Sequence, residues 1–563
     1  MTVNHIGLSG VNAADILLNN TAHNIANAET PWFSRRLPVL IAQQSHWSGL
    51  QNQLGGVRVL YLMRVSNDYL NDQVFRASAS QAMADSFSIP MVQLDQLLGG
   101  DDTGLTNVLN GFIGNLQRLE TRPESLPLRQ QWLGSAGQLV DRFNTLGQQL
   151  QVISQQQTSQ ISNVITEANR LGAAIAELNK QIIELSGLQV SNTNTGTNTN
   201  NQSSNSNCAD LMDQRDDLIN QLSAQVSVEV YRNSNNTVNL VIPSSQGDIP
   251  LIMGQQYFDL SINPKATDPM IPGVMVNTPG VSVPVTPQQG QLAGLQTLQR
   301  DGLMPVINQL GLMAVVLASE VNSQLELGVD PAGNQGTPLF QEVNSTSAMQ
   351  QRVLPETVAG TEALTVAISD LAQLIPTEYQ LVFTAADQCR VTRLSDGQSF
   401  SGDLTAETPF AIDGLTIHLT GTPAINDQFL LTPWRNEATQ LSIVLDAPDQ
   451  LALAAQGSGP GDNRNLLALL DCLNGDSTNC PDLLQANILL QSSVANQTAA
   501  ATRQQKTSQS LFEAAVAERE NLSGVNLDEE AANLLRFQQF YQANARLLRT
   551  SQMIIDELLA AYR

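Results

Sequence analysis

The chain has 563 residues, with 27 basic and 52 acidic side chains and a formal net charge of −25 at pH 7. This acidic excess lacks the clustered Lys and Arg that phosphate binding needs, which argues against a nucleic-acid partner. The length predicts several domains. The sequence contains no run of about 18 uninterrupted apolar residues, so no membrane-spanning helix is predicted.

The first predicted element is an amphipathic helix with an apolar seven-residue repeat. Val11, Leu18 and Ile25 recur at this spacing, and a strict heptad keeps one stripe facing a partner helix. Pro31 disfavours helical geometry at the preceding residue, so we expect the helix to end there. Residues 1–66 are therefore predicted to form an N-terminal axial helix plus an extended segment. The opening Met-Thr-Val-Asn-His has no basic region before an apolar one, so no cleaved signal peptide is predicted.

The middle of the chain changes between helical and strand-like patterns. Apolar residues recur at helical spacing from Phe143 to Leu185, as in a bundle of long helices, whereas alternation at Val226, Val228 and Val230 predicts strands. The Asn-, Thr- and Ser-rich residues 191–207 are predicted to form a mobile loop. The predicted units are a long-helix bundle domain at 67–225, a first β domain at 226–290, a helical return segment at 291–364, a second inserted β domain at 365–440 and a helical segment at 441–510.

Residues 511–563 are predicted to form a C-terminal axial coiled-coil helix. Its apolar positions recur every seven residues, at Leu527, Leu534, Tyr541, Leu548 and Ile555. Two arrangements fit this pattern: the terminal helices pair within one chain as a hairpin, or they pack on other subunits, and a hairpin can still present its outer faces. The predicted fold class is α+β multidomain, in which the terminal helices pair as an α-helical coiled-coil stem beside a long-helix bundle and two inserted, mainly-β domains.

The sequence contains no set of side chains suited to catalysis or to metal binding. The acidic positions between 210 and 217 lack the glycine turn and the terminal glutamate of a calcium loop. The four histidines have no metal-binding or nucleophile-activating spacing: His5, His23, His46 and His418. We therefore expect no enzyme activity, no metal and no cofactor. Cys472 and Cys480 flank a turn-rich loop that could bring them together, so a disulfide between them is a candidate.

Two terminal motifs resemble those of a known family. The residues that close the first helix resemble the signature of the flagellar rod, hook and junction proteins: Asn24, Ile25, Ala26, Asn27, Thr30 and Pro31. The run from Ser523 to Gln539 and the Asp-Gln-Arg helix around Asp213-Gln214-Arg215 are similar, within that group, to the hook-associated protein 1 family. Trp32 departs from the family, which usually has Gly after Thr-Pro. Because Trp cannot adopt a left-handed turn cheaply, we expect it to pack on the helix stripe instead.

The resemblance implies a structural protein of the bacterial flagellum at the junction between hook and filament. It implies export through the flagellar type III pathway, an extracellular location and self-assembly through the terminal helices. The implied partners are hook protein, the second junction protein on the filament side, further copies of this chain in a ring, and a cytoplasmic export chaperone on the C-terminal helix. Two alternatives stay open: another axial protein, such as hook protein or the second junction protein, and a secreted coiled-coil adhesin.

Overall fold

The computed structural model describes residues 2–42, 46–48, 51–53, 55–99, 104–192, 200–244, 247–263, 268, 270–357, 360–361, 363–475 and 482–561. The N-terminal helix α1 spans Thr2–Ala26. Asn27 ends it, because its Nδ2 donates to the carbonyl of His23 over 2.9 Å and its Oδ1 accepts a hydrogen bond from Thr30. The next four strands pair antiparallel, the first with the fourth and the second with the third: β1 (Arg36–Ala42), β2 (His46–Ser48), β3 (Gln51–Gln53) and β4 (Val57–Arg64).

Long helices form the body of the molecule. The first four in chain order are α2 (Asp68–Leu98), α3 (Leu105–Leu119), α4 (Leu126–Asn192) and α5 (Asn200–Gln225). Helix α4 has 67 residues, which corresponds to about 100 Å at 1.5 Å per residue. Asn67 caps α2 by accepting a hydrogen bond from the backbone N–H of Tyr69. These helices are long because their apolar positions are buried on neighbouring helices, not because their residues favour helix strongly.

Part of the predicted loop over 191–207 is helical in the structure. Helix α4 continues to Asn192 and α5 begins at Asn200, so the predicted loop residues 200–207 are helical, while residues 193–199 lie outside the described ranges. The polar composition misled the prediction because Asn, Ser and Thr disfavour helix by less than about 0.7 kcal/mol per residue. A helix anchored by Leu222 and Ile219 in the core can extend through such residues.

A small β region follows α5. Its seven strands form a four-stranded sheet in the order β5-β6-β7-β8 and a three-stranded sheet in the order β11-β10-β9. The strands are β5 (Glu229–Arg232), β6 (Val238–Ile242), β7 (Ile249–Met253), β8 (Gln256–Tyr257), β9 (Leu260–Ile262), β10 (Val274–Thr278) and β11 (Val281–Val285). Alternate residues such as Val238 and Leu240 are buried, as the period of two in this segment predicts.

The chain then returns into the body through one long apolar helical stretch. It consists of α6 (Gln291–Thr297), a π-helical segment (Leu298–Leu303) and α7 (Met304–Glu326). By length and composition Gln291–Glu326 could cross a membrane, yet 83% of its most apolar window is buried inside the fold. The segment is apolar on all sides because the other helices of the body surround it.

A second β region is formed by two further sheets. The short strand β12 (Gly328–Val329) and helix α8 (Thr346–Gln351) precede it. The larger sheet has the order β13-β20-β15-β16-β17 and the smaller one β14-β19-β18. The strands are β13 (Val353–Thr357), β14 (Ala363–Ile368), β15 (Tyr379–Ala385), β16 (Gln388–Arg393), β17 (Ser399–Asp403), β18 (Phe410–Ile412), β19 (Leu415–Thr420) and β20 (Gln428–Leu431). The first strand thus begins twelve residues before the predicted start at 365.

The last segment brings the chain back along the body to its start. It contains α9 (Glu437–Gln440), β21 (Ala454–Ala455), α10 (Arg464–Leu473), α11 (Leu483–Ser523) and α12 (Leu527–Ala561). Helix α11 packs along α2, and α12 packs along α1. The buried apolar residues form two clusters, one around Phe112, Trp132 and Trp434 and the other around Ile165 and Leu240. The fold is therefore a mixture of long helices and several small sheets in which both chain ends meet.

Candidate functional site: the terminal helix pair and its joint to the body

The terminal helices α1 and α12 pack side by side and run in opposite directions. Asn24, near the end of α1, donates through Nδ2 to Oε1 of Glu530 in the first turn of α12 over 3.2 Å. At the other end of the pair, Gly7 faces Leu548. Asn526 caps α12, because its Oδ1 accepts the backbone N–H groups of Asp528 and Glu529 over 2.9 and 3.3 Å. The pair is thus fixed in register at the end nearest the body.

Small residues let the two helices approach closely. A Cβ atom on Gly7 would lie 2.9 Å from Cγ of Leu548, and one on Gly10 would overlap the carboxamide of Asn544. The buried face of α1 repeats at intervals of three and four residues: Gly7, Gly10, Ala14, Leu17, Thr21 and Asn24. Such a face buries little apolar area, so close contact replaces the large side chains of an ordinary coiled coil.

The predicted stripe on α1 lies next to this face and not on it. Val11, Leu18 and Ile25 are each one residue beyond a buried position and are half-buried. The face that α1 turns to α12 is therefore one residue away from this stripe, because the two helices meet through glycine and alanine. As an interface with other subunits the stripe stays a prediction. Part of the α1 surface is covered instead by the β1–β4 ribbon, where Oγ of Ser9 accepts the N–H of Val57 over 3.2 Å.

Helix α12 carries apolar residues on two faces. Of the predicted stripe, Leu534, Leu548 and Ile555 are half-buried, whereas Leu527 and Tyr541 are 53% and 40% exposed. A second stripe with the same seven-residue spacing is exposed along the helix: Phe540, Leu547 and Ile554. The pairing with α1 therefore leaves α12 with an apolar surface that no described part of the chain covers.

The family-like motif at the end of α1 holds the ribbon against the helix pair. Asn24 donates to the carbonyl of Arg36 over 3.0 Å and accepts the N–H of Arg36 at the same distance. Asn20 donates to the same carbonyl over 2.9 Å. Ile25 is half-buried, whereas Ala26, Thr30 and Pro31 are exposed. The motif therefore combines buried amides, which fix the chain path, with an exposed loop.

Trp32 adopts the left-handed backbone conformation that the family glycine would favour, with φ of 62°. The expectation that it leaves this conformation was wrong. Its ring stacks on Phe75 with 5.2 Å between the ring centroids. The guanidinium carbon of Arg519, a residue of α11, lies 4.2 Å from the centroid of the Trp32 ring. Arg519 also donates to the Trp32 carbonyl over 3.0 Å and to Oδ1 of Asn71 over 3.1 Å. These contacts offset a backbone strain of about 1–2 kcal/mol.

A buried ionic network connects the ribbon to α5. Asp213 accepts hydrogen bonds from Arg36 over 2.6 Å and from Arg64 over 2.7 Å, and also from the N–H of Ser34. Asp216 accepts from Arg64 over 2.6 Å. The side chain of Arg36 is fully buried. The acidic residues of the Asp-Gln-Arg helix thus bind arginines of the N-terminal segment and lock it onto the body.

The environment shifts the pKa of the network arginines in opposite directions. Burial alone would lower the pKa of Arg64, but the charges and hydrogen bonds of Asp216 and Asp213 raise it above its usual value. Burial lowers the pKa of Arg215, whose Nη1 donates over 2.6 Å to the carbonyl of Asn236 in the first β region. Arg215 therefore contributes through hydrogen bonds that link α5 to that region.

A cleft of about 610 Å³ opens where the motif meets the link between α11 and α12. Pro31, Trp32, Arg35 and Gly524 are among the residues that line it. Arg35 lies at the edge of the cleft. The backbone N–H of Arg35 donates to the carbonyl of Ser523 over 2.8 Å, and the guanidinium pairs with Glu529 over 2.6 Å. The terminal pair is thus attached to the body by polar contacts around an open cleft.

The structure places the remaining candidate residues as follows. Cys472 is disulfide-bonded, but Cys480 lies outside the described residues, so the pairing of these two cysteines stays a prediction. Within the described ranges, no group of three or more His, Cys, Asp or Glu side chains is arranged to hold a metal ion. Sequence reasoning missed the arginines that attach the terminal helices to the body, Arg36, Arg64 and Arg519. It also missed the small residues of α1 that contact α12, Gly7 and Gly10. The Gly-x-x-Gly spacing of Gly7 and Gly10 was the one signal that could have indicated a close helix contact.

Family comparisons cover most of the chain in three segments. The model described as flagellar hook-associated protein FlgK helical domain matches residues 91–340. The model described as flagellar hook-associated protein 1, D2-like domain, matches residues 356–433. The C-terminal model of the flagellar basal body rod FlgEFG proteins matches residues 519–561. The first match includes the Asp-Gln-Arg helix, and the third includes α12.

Full-length relatives agree with these matches. The chain is 29% identical over 570 residues to flagellar hook-associated protein 1 of Salmonella typhimurium, covering 99% of each chain. It is 29% identical over 571 residues to the protein of the same name from Escherichia coli, covering 98% of each. The solved flagellar hook junction protein FlgK of Burkholderia pseudomallei has the same fold: the TM-score is 0.69 at 19% identity, with 80% of this chain and 100% of that chain covered.

Proposed function

The chain belongs to the flagellar hook-associated protein 1 family, and from this membership we propose that it joins hook to filament by self-assembly through α1 and α12. It is a hook-associated junction protein and a structural component of the flagellum. In the proposed assembly, copies of the chain form a ring in which the terminal helices line the inner tube. Hook protein is the partner on one side and the second junction protein on the other.

The exposed stripe of α12 is the observation that carries this proposal. Phe540, Leu547 and Ile554 are 36%, 40% and 54% exposed although each is a large apolar residue. Their seven-residue spacing suits a further helix, because a heptad stripe stays in line with a partner along its whole length. A neighbouring copy of α1 or α12 would bury this stripe, as would the terminal helix of another axial protein.

The composition of the pair suits assembly that is weak in a single subunit and strong in an array. The contact between α1 and α12 buries mainly glycine, alanine and amide groups, including Gly10, Asn24 and Asn544. Apolar burial contributes about 25 cal/mol per Å², so this seam contributes little alone. Each added neighbour buries the outer stripe as well, and binding to the ordered state stabilises it by mass action.

The same exposed stripe suggests how the subunit stays soluble before assembly. We propose that a cytoplasmic export chaperone covers residues 527–562 and that the chain leaves through the flagellar type III pathway. The subunit would then act outside the cell. An exposed apolar stripe of this length is an association hazard in a concentrated cytoplasm, which supports a protecting partner.

The proposal is tested by placing charges on the outer stripe. In a Leu547→Asp/Ile554→Asp variant, we expect a folded and exported subunit that fails to join the junction, so that cells release filament subunits into the medium. Val152→Asp is the matched control, because Val152 is 61% exposed on α4 of the body, and we expect normal filaments from it. Normal filaments on cells that carry only the double variant would refute assembly through this face.

A further inference from the structure

The body contains a level at which two of its long helices, α4 and α11, lose their large apolar residues. In α4, no apolar side chain occurs between Ile153 and Ile161, where the sequence is Ser-Gln-Gln-Gln-Thr-Ser-Gln. In α11, only alanine and polar residues lie between Val494 and Leu511. Because α-helices bury an apolar residue every three or four positions, each of these runs interrupts the packing for two or more turns. We call this level the waist, comprising residues 84–91, 154–160, 298–303 and 498–508.

The other two helices at the waist are irregular in their backbones. Pro90 lies inside α2, where it removes a backbone hydrogen bond. Leu298–Leu303 is π-helical, between α6 and α7, and such segments are rare. The two irregularities face each other, since a Cβ on Gly302 would lie 2.9 Å from Sδ of Met91. Proline and π-segments are the usual causes of bends in long helices.

Polar contacts of α4 and α11 replace apolar ones inside the waist, while Met91, Leu298 and Leu303 stay buried in the larger core. Gln299 donates through Nε2 to Oγ1 of Thr158 over 3.1 Å, and Thr498 donates to the carbonyl of Met91 over 3.2 Å. Gln157 and Gln299 are 3% and 1% exposed. In the part of the chain that the structure describes, the side-chain oxygen of each has no hydrogen-bond partner. A layer with unmatched acceptors is less stable than the apolar layers around it.

The waist separates the two apolar cores. Leu150 lies on one side with the larger core, which reaches into the waist at Met91, Leu298 and Leu303, and Ile161 and Leu292 lie on the other side with the core beneath the first β region. Interlocked apolar side chains resist sliding because interiors are closely packed. Hydrogen bonds between amides and hydroxyls can exchange partners during a small movement, so this movement costs less free energy than sliding an apolar layer. The two cores are therefore rigid units joined by a softer layer.

We propose that the waist is a flexure, at which the two halves of the body rock by small angles against each other. Helix α4 is continuous through this level, which limits the motion to bending and prevents separation. The motion is independent of the ionic network that fixes the terminal helices, because Arg36 and Asp213 belong to the joint and not to the waist. The inference goes beyond the proposed assembly and does not depend on it.

Hydrogen exchange of the full-length protein tests the flexure. We expect amides in residues 298–303 and in 91–94, after Pro90, to exchange at least about tenfold faster than amides in residues 308–318 of α7. In the Gln157→Leu/Gln299→Leu variant, which replaces the unmatched amides by apolar groups of similar size, this difference should shrink by about tenfold. Asn308→Leu is the matched control: Asn308 is also buried with an unpartnered oxygen among the described residues, but it lies outside the waist, so the difference should persist.

A second variant covers the case in which the leucine substitutions prevent folding. Pro90→Ala restores a backbone donor in α2 and should slow exchange at residues 91–94 without adding bulk. Equal exchange at the waist and in the flanking layers of the unaltered protein would overturn the proposal. So would unchanged exchange at the waist in whichever of the two variants folds.

Discussion

At the scale of single residues, Trp32 shows how a strained backbone is stabilised by its surroundings. Trp32→Gly removes the strain of a positive φ but also the ring contacts with Phe75 and Arg519. Aromatic stacking and cation–π contacts each contribute about 0.5–2 kcal/mol beyond burial, so we expect a net destabilisation of about 1–3 kcal/mol. This destabilisation would be measured as a urea unfolding transition at a lower urea concentration. Trp32→Phe, which keeps a ring, should lose less, and a glycine variant as stable as the parent would contradict this account.

Asp213 is the central acceptor of the buried network. Asp213→Ala leaves the fully buried Arg36 and the nearby Arg64 without their shared carboxylate, and breaking a buried ion pair typically costs about 3–5 kcal/mol. We expect a lower unfolding temperature by calorimetry and easier proteolysis of the N-terminal segment. Asp217→Ala is the control and should change either readout little. Asp217 lies on the same helix, and among the described residues its side chain accepts a hydrogen bond from Gln221 one turn away and from no arginine. Equal effects of the two substitutions would argue against the network.

Glu320 predicts a dependence of stability on pH. It is 4% exposed on α7, and neither carboxylate oxygen has a partner among the residues described. Burial raises its pKa to about 8 from 4.5, so the folded state holds its proton where the unfolded state has released it. The contribution of the protonated Glu320 to the free energy of unfolding is complete below about pH 4.5 and is lost as the pH rises through about 8. Its size is about 1.4 kcal/mol per unit of difference between the folded and unfolded pKa.

Glu320→Gln isolates this effect, because glutamine stays neutral. The variant should match the parent protein near pH 5 and exceed it in stability at pH 9, as measured by urea unfolding at both pH values. A constant difference between the two proteins across that range would show that Glu320 does not titrate as burial predicts.

At the scale of elements, glycine has opposite effects in two helices. In α1, Gly7 and Gly10 lie against α12, whereas in α3 a Cβ on Gly111 or Gly114 would meet open space. Gly→Ala in a helix interior stabilises by about 0.5–1 kcal/mol per site when nothing clashes. We therefore expect Gly111→Ala/Gly114→Ala to raise the unfolding temperature. Gly7→Ala/Gly10→Ala should separate the terminal helices and increase their cleavage in limited proteolysis; equal protection of both variants would contradict the close contact.

Sequence patterns predicted those elements that depend on local chemistry. Asp413 and Gly414 between two strand-like segments predict a hairpin turn, and the structure has this turn between β18 and β19, since both residues have positive φ and Ile412 pairs with Leu415. Asn526 and Asp528 are both residue types that cap a helix at the start of α12, and in the structure Asn526 is the cap. In each case one or two residues determine the geometry.

Features that depend on distant partners could not be predicted in this way. The acidic residues near 213 were visible in the sequence, but their partners Arg36 and Arg64 are about 150 or more positions away. The face of α1 against α12 lies one residue away from the apolar heptad, because close packing favours small side chains that an apolar pattern ignores. The left-handed conformation of Trp32 was rejected because its cost was visible while the compensating contacts on α2 and α11 were not.

At the scale of the whole molecule, the net charge of −25 opposes the association of identical subunits. Salt shortens the range of this repulsion, to about 10 Å at 0.1 M and 3 Å at 1 M, while apolar burial is not screened. We therefore expect the purified protein to form more oligomer at 0.5 M than at 0.05 M NaCl in sedimentation velocity. The Leu547→Asp/Ile554→Asp variant should stay monomeric at both concentrations. Oligomers that dissociate with added salt would indicate charge pairing instead.

The contact between Asn24 and Glu530 joins residues that are 506 positions apart. Closing a flexible loop of this length costs about 5 kcal/mol in chain entropy, so the contact forms late, after the intervening body has shortened the effective loop. During synthesis, α1 cannot pair until the 35 residues of α12 have been made. The paired surface of α1 and α12 therefore exists only in a complete subunit. If the proposed assembly through this surface is right, a fragment that stalls before α12 cannot compete for a place in it.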